Sequence, residues 1–376
     1  MSDPSRALLG GLAPARFLRA PWQKRPLLVS AAVPGFVGMF DRTALTRLAQ
    51  RDDVESRIVV NAKGRYALRH GPFRSADFRD LPARGWTLLV QGLNHHSSEA
   101  DALLRRFSFV PFARLDDVMA SYAAPEGGVG PHFDSYDVFL LQGFGRRRWR
   151  YGEQRDLSLV PGLPLKVLRK FTPTHDAVLE PGDMLYLPPD HAHEGVAIDA
   201  CTTYSIGFRA PSAQELATDF LDFLRDAIAI DGRYADPDLA PADQPARIDA
   251  RMHSRASAML ARIRWDGRTV ANFLGCSLSE PKPIVVFDPP ARALSRAAFE
   301  RRLRSKGVAL DRRTALLYDD ERFYINGEAV PPRPGRAAVR KLANERRLSA
   351  RACAALPDAT LALLHDWYRD GFVTVD

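Results

Sequence analysis

The residues of this chain best suited to oxygen chemistry lie in the stretch Gly130, Pro131, His132, Phe133, Asp134. On an extended backbone, side chains at i and i+2 point to one face, so His132 and Asp134 converge while Phe133 faces away. One further imidazole would complete a 2-His-1-carboxylate set, which leaves adjacent positions open on Fe(II) for oxygen chemistry. A His-x-Asp arises by chance in many chains. Its meaning depends on a third ligand, a cosubstrate anchor and a scaffold that brings them together.

The third ligand is sought downstream. A Glu180-Pro181-Gly182-Asp183 turn feeds an apolar strand that ends at Pro188 and Pro189, and His191 and His193 follow directly. Chemistry alone leaves both open, and an isolated histidine pair in a loop is more often solvated. His175, and His95 with His96, have the surroundings of structural or solvated residues. The run from Arg146 to Tyr151 sorts by strand face: Arg146, Arg148 and Arg150 share a solvated side, and Arg147, Trp149 and Tyr151 share the other. A guanidinium among aromatics is costly unless it meets an anion, and its planar fork suits a carboxylate. Arg147 is therefore the candidate anchor for a dicarboxylate cosubstrate, and an ion pair within the chain is the competing reading.

The elements that must position these groups follow from the periodicities. Between about 116 and 209, short alternating runs separated by Pro-Gly and Gly-Gly turns suit a β-sandwich or barrel, with strands expected at 138–142, 146–151, 183–187 and 202–208. Strands or helices are expected earlier at 44–51, 86–91 and 97–107. The period changes at 213–230, where Leu216, Phe220, Phe223, Leu224 and Ile228 form a helical stripe, and a second helical pattern covers 248–265. Beyond a Pro-rich linker come a helix at 295–306, a hairpin pairing 316–318 with 323–325, helices at 337–348 and 358–368, and a closing strand. This is a winged-helix-like order of elements.

The 376 residues are ample for more than one domain. The net charge of +8 favours acidic or nucleic-acid-rich surroundings, and most of the excess lies from Ala291 onward. Three scattered cysteines form neither a disulfide framework nor a zinc cluster, which points to a reducing compartment. There is no secretory signal pattern and no apolar run near membrane-spanning length, so a cytoplasmic protein without a membrane partner is expected.

On these residues the chain resembles the cupin-type JmjC ribosomal oxygenases. The resemblance is carried by the string from Asp116 to Trp149, by Pro188 and Pro189 followed by His193, Glu194 and Gly195, and by Tyr204 to Pro211. It is strongest toward the bacterial arginine hydroxylases of the large-subunit ribosomal protein L-sixteen, and it extends to the Pro21-Trp22-Gln23-Lys24-Arg25-Pro26 stretch. It implies a mixed α+β chain: a double-stranded β-helix (cupin/JmjC) catalytic domain over 1–211, a helical dimerisation module over 212–282 and a winged-helix domain over 283–376. It implies Fe(II) held by His132, Asp134 and His193, the last chosen over His191 because the family's distal histidine directly precedes Glu-Gly. It also implies 2-oxoglutarate bound by Arg147 with Ser121 as a hydroxyl contact, and O2 as oxidant. The lead-in Asp190-His191-Ala192 departs from the family's Gly-aromatic-Pro.

The activity so implied is hydroxylation of an arginine of that ribosomal protein, in a homodimer. An arginine substrate needs carboxylates or aromatics near the mouth, for which Asp117, Tyr136 and Asp137 are the candidates, and hydrogen bonding at strand ends is the competing reading of all three. The winged helix offers basic positions at Arg336, Arg340, Lys341, Arg346, Arg347 and Arg351, but Asp319, Asp320 and Glu321 occupy its wing. Contact with protein or ribosomal RNA is expected over sequence-specific DNA binding. The alternatives are hydroxylation of another residue such as histidine, JmjC-type demethylation, or a non-catalytic cupin-like module on a nucleic-acid-binding winged helix.

Overall fold

The computed structural model describes residues 4–62, 64–331 and 335–375. Eleven strands between residues 27 and 208 build the scaffold: β1 (Leu27–Val29), β2 (Ser56–Ala62), β3 (Arg65–His70), β4 (Trp86–Val90), β5 (Leu115–Ala123), β6 (Val138–Gln142), β7 (Arg147–Gly152), β8 (His175–Leu179), β9 (Met184–Leu187), β10 (Ala192–Ala197) and β11 (Cys201–Phe208). Eight form an antiparallel sheet in the order β1-β9-β6-β11-β5-β4-β2-β3, and three form a second sheet, β10-β7-β8.

The two sheets face one another because each strand alternates. Along β7, Arg147, Trp149 and Tyr151 are buried, while Arg148 is exposed and Arg150 half-buried. Trp149 and Tyr151 pack against Val138, Leu140, Leu185 and Leu187 of the larger sheet. Ala123, Ala197 and Cys201 close the same interior further along. The other face of the larger sheet carries the main core, where Val118, Ala120, Phe139, Tyr204 and Ile206 meet Phe17, Leu45, Leu103 and Leu104 from helices and Phe107 from the turn after the last of them. The outward arginines do not simply face water. Arg146 pairs with Asp199 at 2.9 Å, Arg148 with Asp176 and Arg150 with Glu194.

The Pro21-Trp22-Gln23 stretch is a structural clasp. Trp22 stacks on Tyr186, and the Gln23 backbone N–H donates to the Tyr186 hydroxyl at 2.7 Å. That hydroxyl donates to Asp137 Oδ1 at 2.6 Å, and Gln23 Nε2 donates to Asp137 Oδ2 at 3.0 Å. Arg114 stands 3.6 Å from the same carboxylate.

The chain divides into two compact units: 1–210 with 281–314 and 333–376, and 211–280 with 315–332. The second holds the helices Ala213–Ala227, Ala250–Leu260 and Gly267–Ser279, with a three-stranded sheet of β13 (Leu316–Tyr318), β14 (Phe323–Ile325) and β15 (Glu328–Val330); β12 (Val308–Leu310) precedes it in the first unit. The helix Gly267–Ser279 was not anticipated from the sequence. Its Phe273 packs against Phe220 and Phe223, and the hairpin settles on its other side. Gly275 permits this, since a Cβ there would lie 2.4 Å from ring atoms of Tyr324. The stretch expected as one domain over 283–376 is thus shared between the units, because its hairpin packs on the helix before it.

In the first unit the C-terminal helices Arg296–Lys306, Arg336–Glu345, Ala350–Ala354 and Asp358–Arg369 accompany a sheet of β12, β16 (Arg347–Leu348) and β17 (Val373–Thr374). Some of the expected basic contact positions are already engaged. Arg346 donates to the carbonyls of Asp311 at 2.7 Å and Thr314 at 3.0 Å, and Lys341 reaches Glu345 at 2.5 Å. Among the described residues, no helix is long and apolar enough to cross a membrane.

Truncating Asp137 to alanine would leave the Tyr186 hydroxyl buried without its acceptor, at a cost of about 1–3 kcal/mol. Urea unfolding should show the midpoint falling with an unchanged slope.

Candidate metal and cosubstrate site

His132 does not lie in a regular strand, as the sequence suggested, but in a single antiparallel bridge to His193. The His132 N–H donates to the His193 carbonyl at 2.9 Å, and the His193 N–H donates back to the His132 carbonyl at 2.8 Å. Asp190 N–H donates to the Asp134 carbonyl at 2.8 Å, so the short segment stays aligned with the approach to β10. The extended spacing still puts both side chains on one side. The two imidazole centroids stand 4.2 Å apart, and Asp134 Oδ2 lies 3.7 Å from His193 Nε2.

Ligand atoms of His132, Asp134 and His193 all lie within 4.8 Å of one another. His191 is not part of this group. It contributes through its backbone, because the His191 carbonyl is 2.8 Å from His193 Nδ1. A carbonyl only accepts, so Nδ1 carries the hydrogen and Nε2 presents its lone pair inward. The Gly130 carbonyl does the same for His132 Nδ1 at 2.9 Å. Burial pushes His193 down to about 4, with His132 adding to the effect, so this imidazole is neutral near pH 7. Two imidazole nitrogens and one carboxylate match the donor set that Fe(II) takes in oxygenases.

On the same interior, Arg147 is buried and donates from Nη1 to Ser121 Oγ at 3.1 Å. Its Nε and Nη2 have no protein partner. The competing reading of an internal ion pair therefore has no carboxylate to support it among the described residues. A buried guanidinium with two unmet nitrogens fits a carboxylate supplied by a ligand. The registers Arg147–Ala197 and Tyr151–His193 separate this anchor from the histidine end by four strand positions, about 13 Å of backbone at ~3.3 Å per residue.

The three expected substrate contacts fall in different places. Asp117 lies on β5 with the parity of Ser121, so it faces the same interior. It is buried and accepts from the Gly92 N–H at 3.1 Å and from Lys282 Nζ at 3.3 Å. Burial pushes its carboxyl up, against the opposing pull of Lys282. Tyr136 is 41 % exposed, yet desolvation of its phenol, with the carboxylates of Asp134 and Asp117 adding to it, pushes that group above its ordinary range. Asp137 is fully buried in the Tyr186–Gln23 clasp, and both of its oxygens are engaged there. Its hydrogen bonds hold the clasp together, which gives it a part in the fold. Sequence reasoning missed Lys282, whose pairing spans 165 positions, and the orienting carbonyls of Gly130 and His191, which carry no residue-type signal.

The comparisons with known proteins agree with this geometry. Family models for the JmjC domain match residues 102–216, the ROXA-like winged helix 262–374 and the AraC-like ligand-binding domain 175–261. The Escherichia coli (strain K12) ribosomal protein uL16 3-hydroxylase is 35 % identical over 339 residues, 89 % of either chain. This chain belongs to the JmjC ribosomal oxygenases. The family's probable ribosomal oxygenase from Haemophilus influenzae is 38 % identical over 63 % of this chain and 58 % of its own. The structure of Escherichia coli YcfD, a ribosomal oxygenase in complex with cobalt and 2-oxoglutarate, superposes with a TM-score of 0.81 at 33 % identity, covering 96 % of this chain and 98 % of that one.

Replacing His193 or Asp134 with alanine should weaken Co(II) binding by about 100-fold or more, read by calorimetric titration. Arg147→Met should leave Co(II) binding in place and weaken 2-oxoglutarate binding to the cobalt-loaded protein by about 100-fold, since it removes charge-assisted hydrogen bonds.

Proposed function

We propose that this chain is an Fe(II)- and 2-oxoglutarate-dependent hydroxylase of an arginine in ribosomal protein uL16. The observation that carries the reading is the buried Arg147 guanidinium, unmet at two nitrogens, on the same interior as the His132, Asp134 and His193 ligand atoms. Neither feature serves a purely structural module, because an unpaired buried cation only costs stability. The name of the Escherichia coli relative supports the substrate assignment.

His132, Asp134 and His193 would hold Fe(II), and Arg147 with Ser121 would hold the distal carboxylate of 2-oxoglutarate. When bound, Fe(II) supplies the oxygen activation by which O2 gives one atom to succinate, with loss of carbon dioxide, and one to an aliphatic C–H bond. The protein's own part is placement and shielding. The His191 and Gly130 carbonyls take the Nδ1 side of both imidazoles and so turn Nε2 toward the metal position. Leu140, Leu185 and Trp149 line the inter-sheet space with apolar surface that keeps water from the reacting carbon. Asp117 provides a buried carboxylate for the substrate guanidinium, and Tyr136 an aromatic wall. The catalytic domain over 1–211, a helical dimerisation module and homodimer, and a cytoplasmic location complete this reading.

The test is to incubate the iron-loaded protein with uL16, follow succinate, and map the product by mass spectrometry. The expected product carries one additional oxygen atom on a single arginine, and His132→Ala abolishes it. Turnover that survives His132→Ala, or none at all with the metal bound, would overturn the proposal. Oxygen on a histidine, or loss of a methyl group, would move it to the neighbouring activities. Asp117→Asn should raise KM for uL16 about tenfold while KM for 2-oxoglutarate stays within about twofold, since one charge-assisted contact weakens.

A further inference from the structure

On the face of the larger sheet away from Arg147 lies a second cavity of about 770 Å³. Its relation to the first follows from strand parity. Ser121 points between the sheets, whereas Tyr122 points to the other side and forms part of this floor beside Trp86. Three arginines, Arg42, Arg47 and Arg79, stand in the lining and are all exposed, and no carboxylate lines it. None of the three has an ion-pair partner among the described residues. Among the acids nearby in sequence, Asp80 beside Arg79 is exposed and stands outside the lining, and two others are engaged elsewhere. Asp41 accepts from the Ala44 N–H at 2.7 Å, and Asp77 is taken by Arg69 and by the Arg74 N–H.

The arginines are arranged. The Arg42 guanidinium lies 5.3 Å from the centroid of Trp86 and 5.7 Å from that of Tyr122. A guanidinium held flat over aromatic faces keeps its N–H edge free for an anion. Arg42, Thr46 and Gln50 recur every four residues along and just beyond the helix Arg42–Leu48, with Thr43 and Arg47 as the adjacent row. Neutral donors are thus interleaved with the cations on one side.

We propose that this cavity binds the phosphodiester backbone of a single-stranded RNA segment. The shared chemistry is phosphate, and several cationic positions in one groove fit a strand of repeating phosphates better than a single ion. Arginine, threonine and glutamine are the donors used for phosphate oxygens. A protein partner would want a large exposed aromatic or aliphatic anchor, but Phe78, Trp86 and Tyr122 are buried and Leu81 half-buried, which leaves the small Pro82 and Ala83 as the exposed apolar positions of the lining. Binding here must be mainly electrostatic, which is the signature of backbone contact. The inference does not depend on the hydroxylase reading.

The test uses the full chain and a fluorescein-labelled single-stranded RNA of about twelve nucleotides, with anisotropy followed across a salt series. Each phosphate contact contributes about 0.7 to the slope of log K against log salt. The variant R42Q/R47Q/R79Q should bind more weakly by at least about tenfold at low salt, with the slope reduced by about 2. R47Q/R79Q leaves the Arg42 stack intact and should lose about two-thirds of that difference, which guards against misfolding of the triple variant. Unchanged affinity and slope in both variants, or no binding by the parent, would overturn the proposal. So would displacement by inorganic phosphate or polyglutamate as effective as by unlabelled RNA at equal anion concentration, since the groove would then be a general anion site.

Discussion

A guanidinium between two sheets, met on one nitrogen by a neutral hydroxyl and on the others by no hydrogen-bond partner among the described residues, is the interaction around which the catalytic half of the molecule is arranged. In an apolar interior that charge is destabilising on its own. The surrounding sequence does not relieve it. The three outward arginines of the same run each meet a carboxylate across or beside the sheet, so those acids are held away from Arg147. Folding therefore leaves one cation to be satisfied by a visiting anion, and the strain is localised where a cosubstrate is required.

The charges of the complete site then balance. His193 is neutral by burial, and both imidazoles are oriented by backbone carbonyls and need no carboxylate partner. A divalent metal and Arg147 on one side, and Asp134 with a dianionic cosubstrate on the other, sum to no net charge. A low-dielectric cavity accepts a neutral assembly far more readily than any of its parts. Metal and cosubstrate in this sense favour one another's binding.

The parts of this arrangement visible in the sequence are those governed by a period of two. The face sorting of Arg147, Trp149 and Tyr151, and the shared side of His132 and Asp134, need only strand alternation, and both survive although His132 proves to sit in a lone bridge. Resemblance was needed to choose between His191 and His193, because the choice depends on a loop whose Asp190 takes a left-handed backbone (φ 60°). The clasp around Asp137 was not legible for a similar reason. Its partners Gln23, Arg114 and Tyr186 lie 114, 23 and 49 positions away, and no local pattern announces such a meeting. The helix Gly267–Ser279 was missed because its apolar positions, half hidden by a central Gly275, make sense only once Tyr324 is laid against it.

The paired backbone hydrogen bonds between His132 and His193 have a consequence for how metal comes and goes. In many sites the ion itself gathers its ligands from distant loops, and its loss lets them scatter. Here two peptide groups on separate segments already clasp one another, so the imidazoles stay side by side with or without an occupant. The ion need not act as a template for folding. It can be loaded late, exchanged or replaced by another divalent species of similar taste while the barrel around it remains standing.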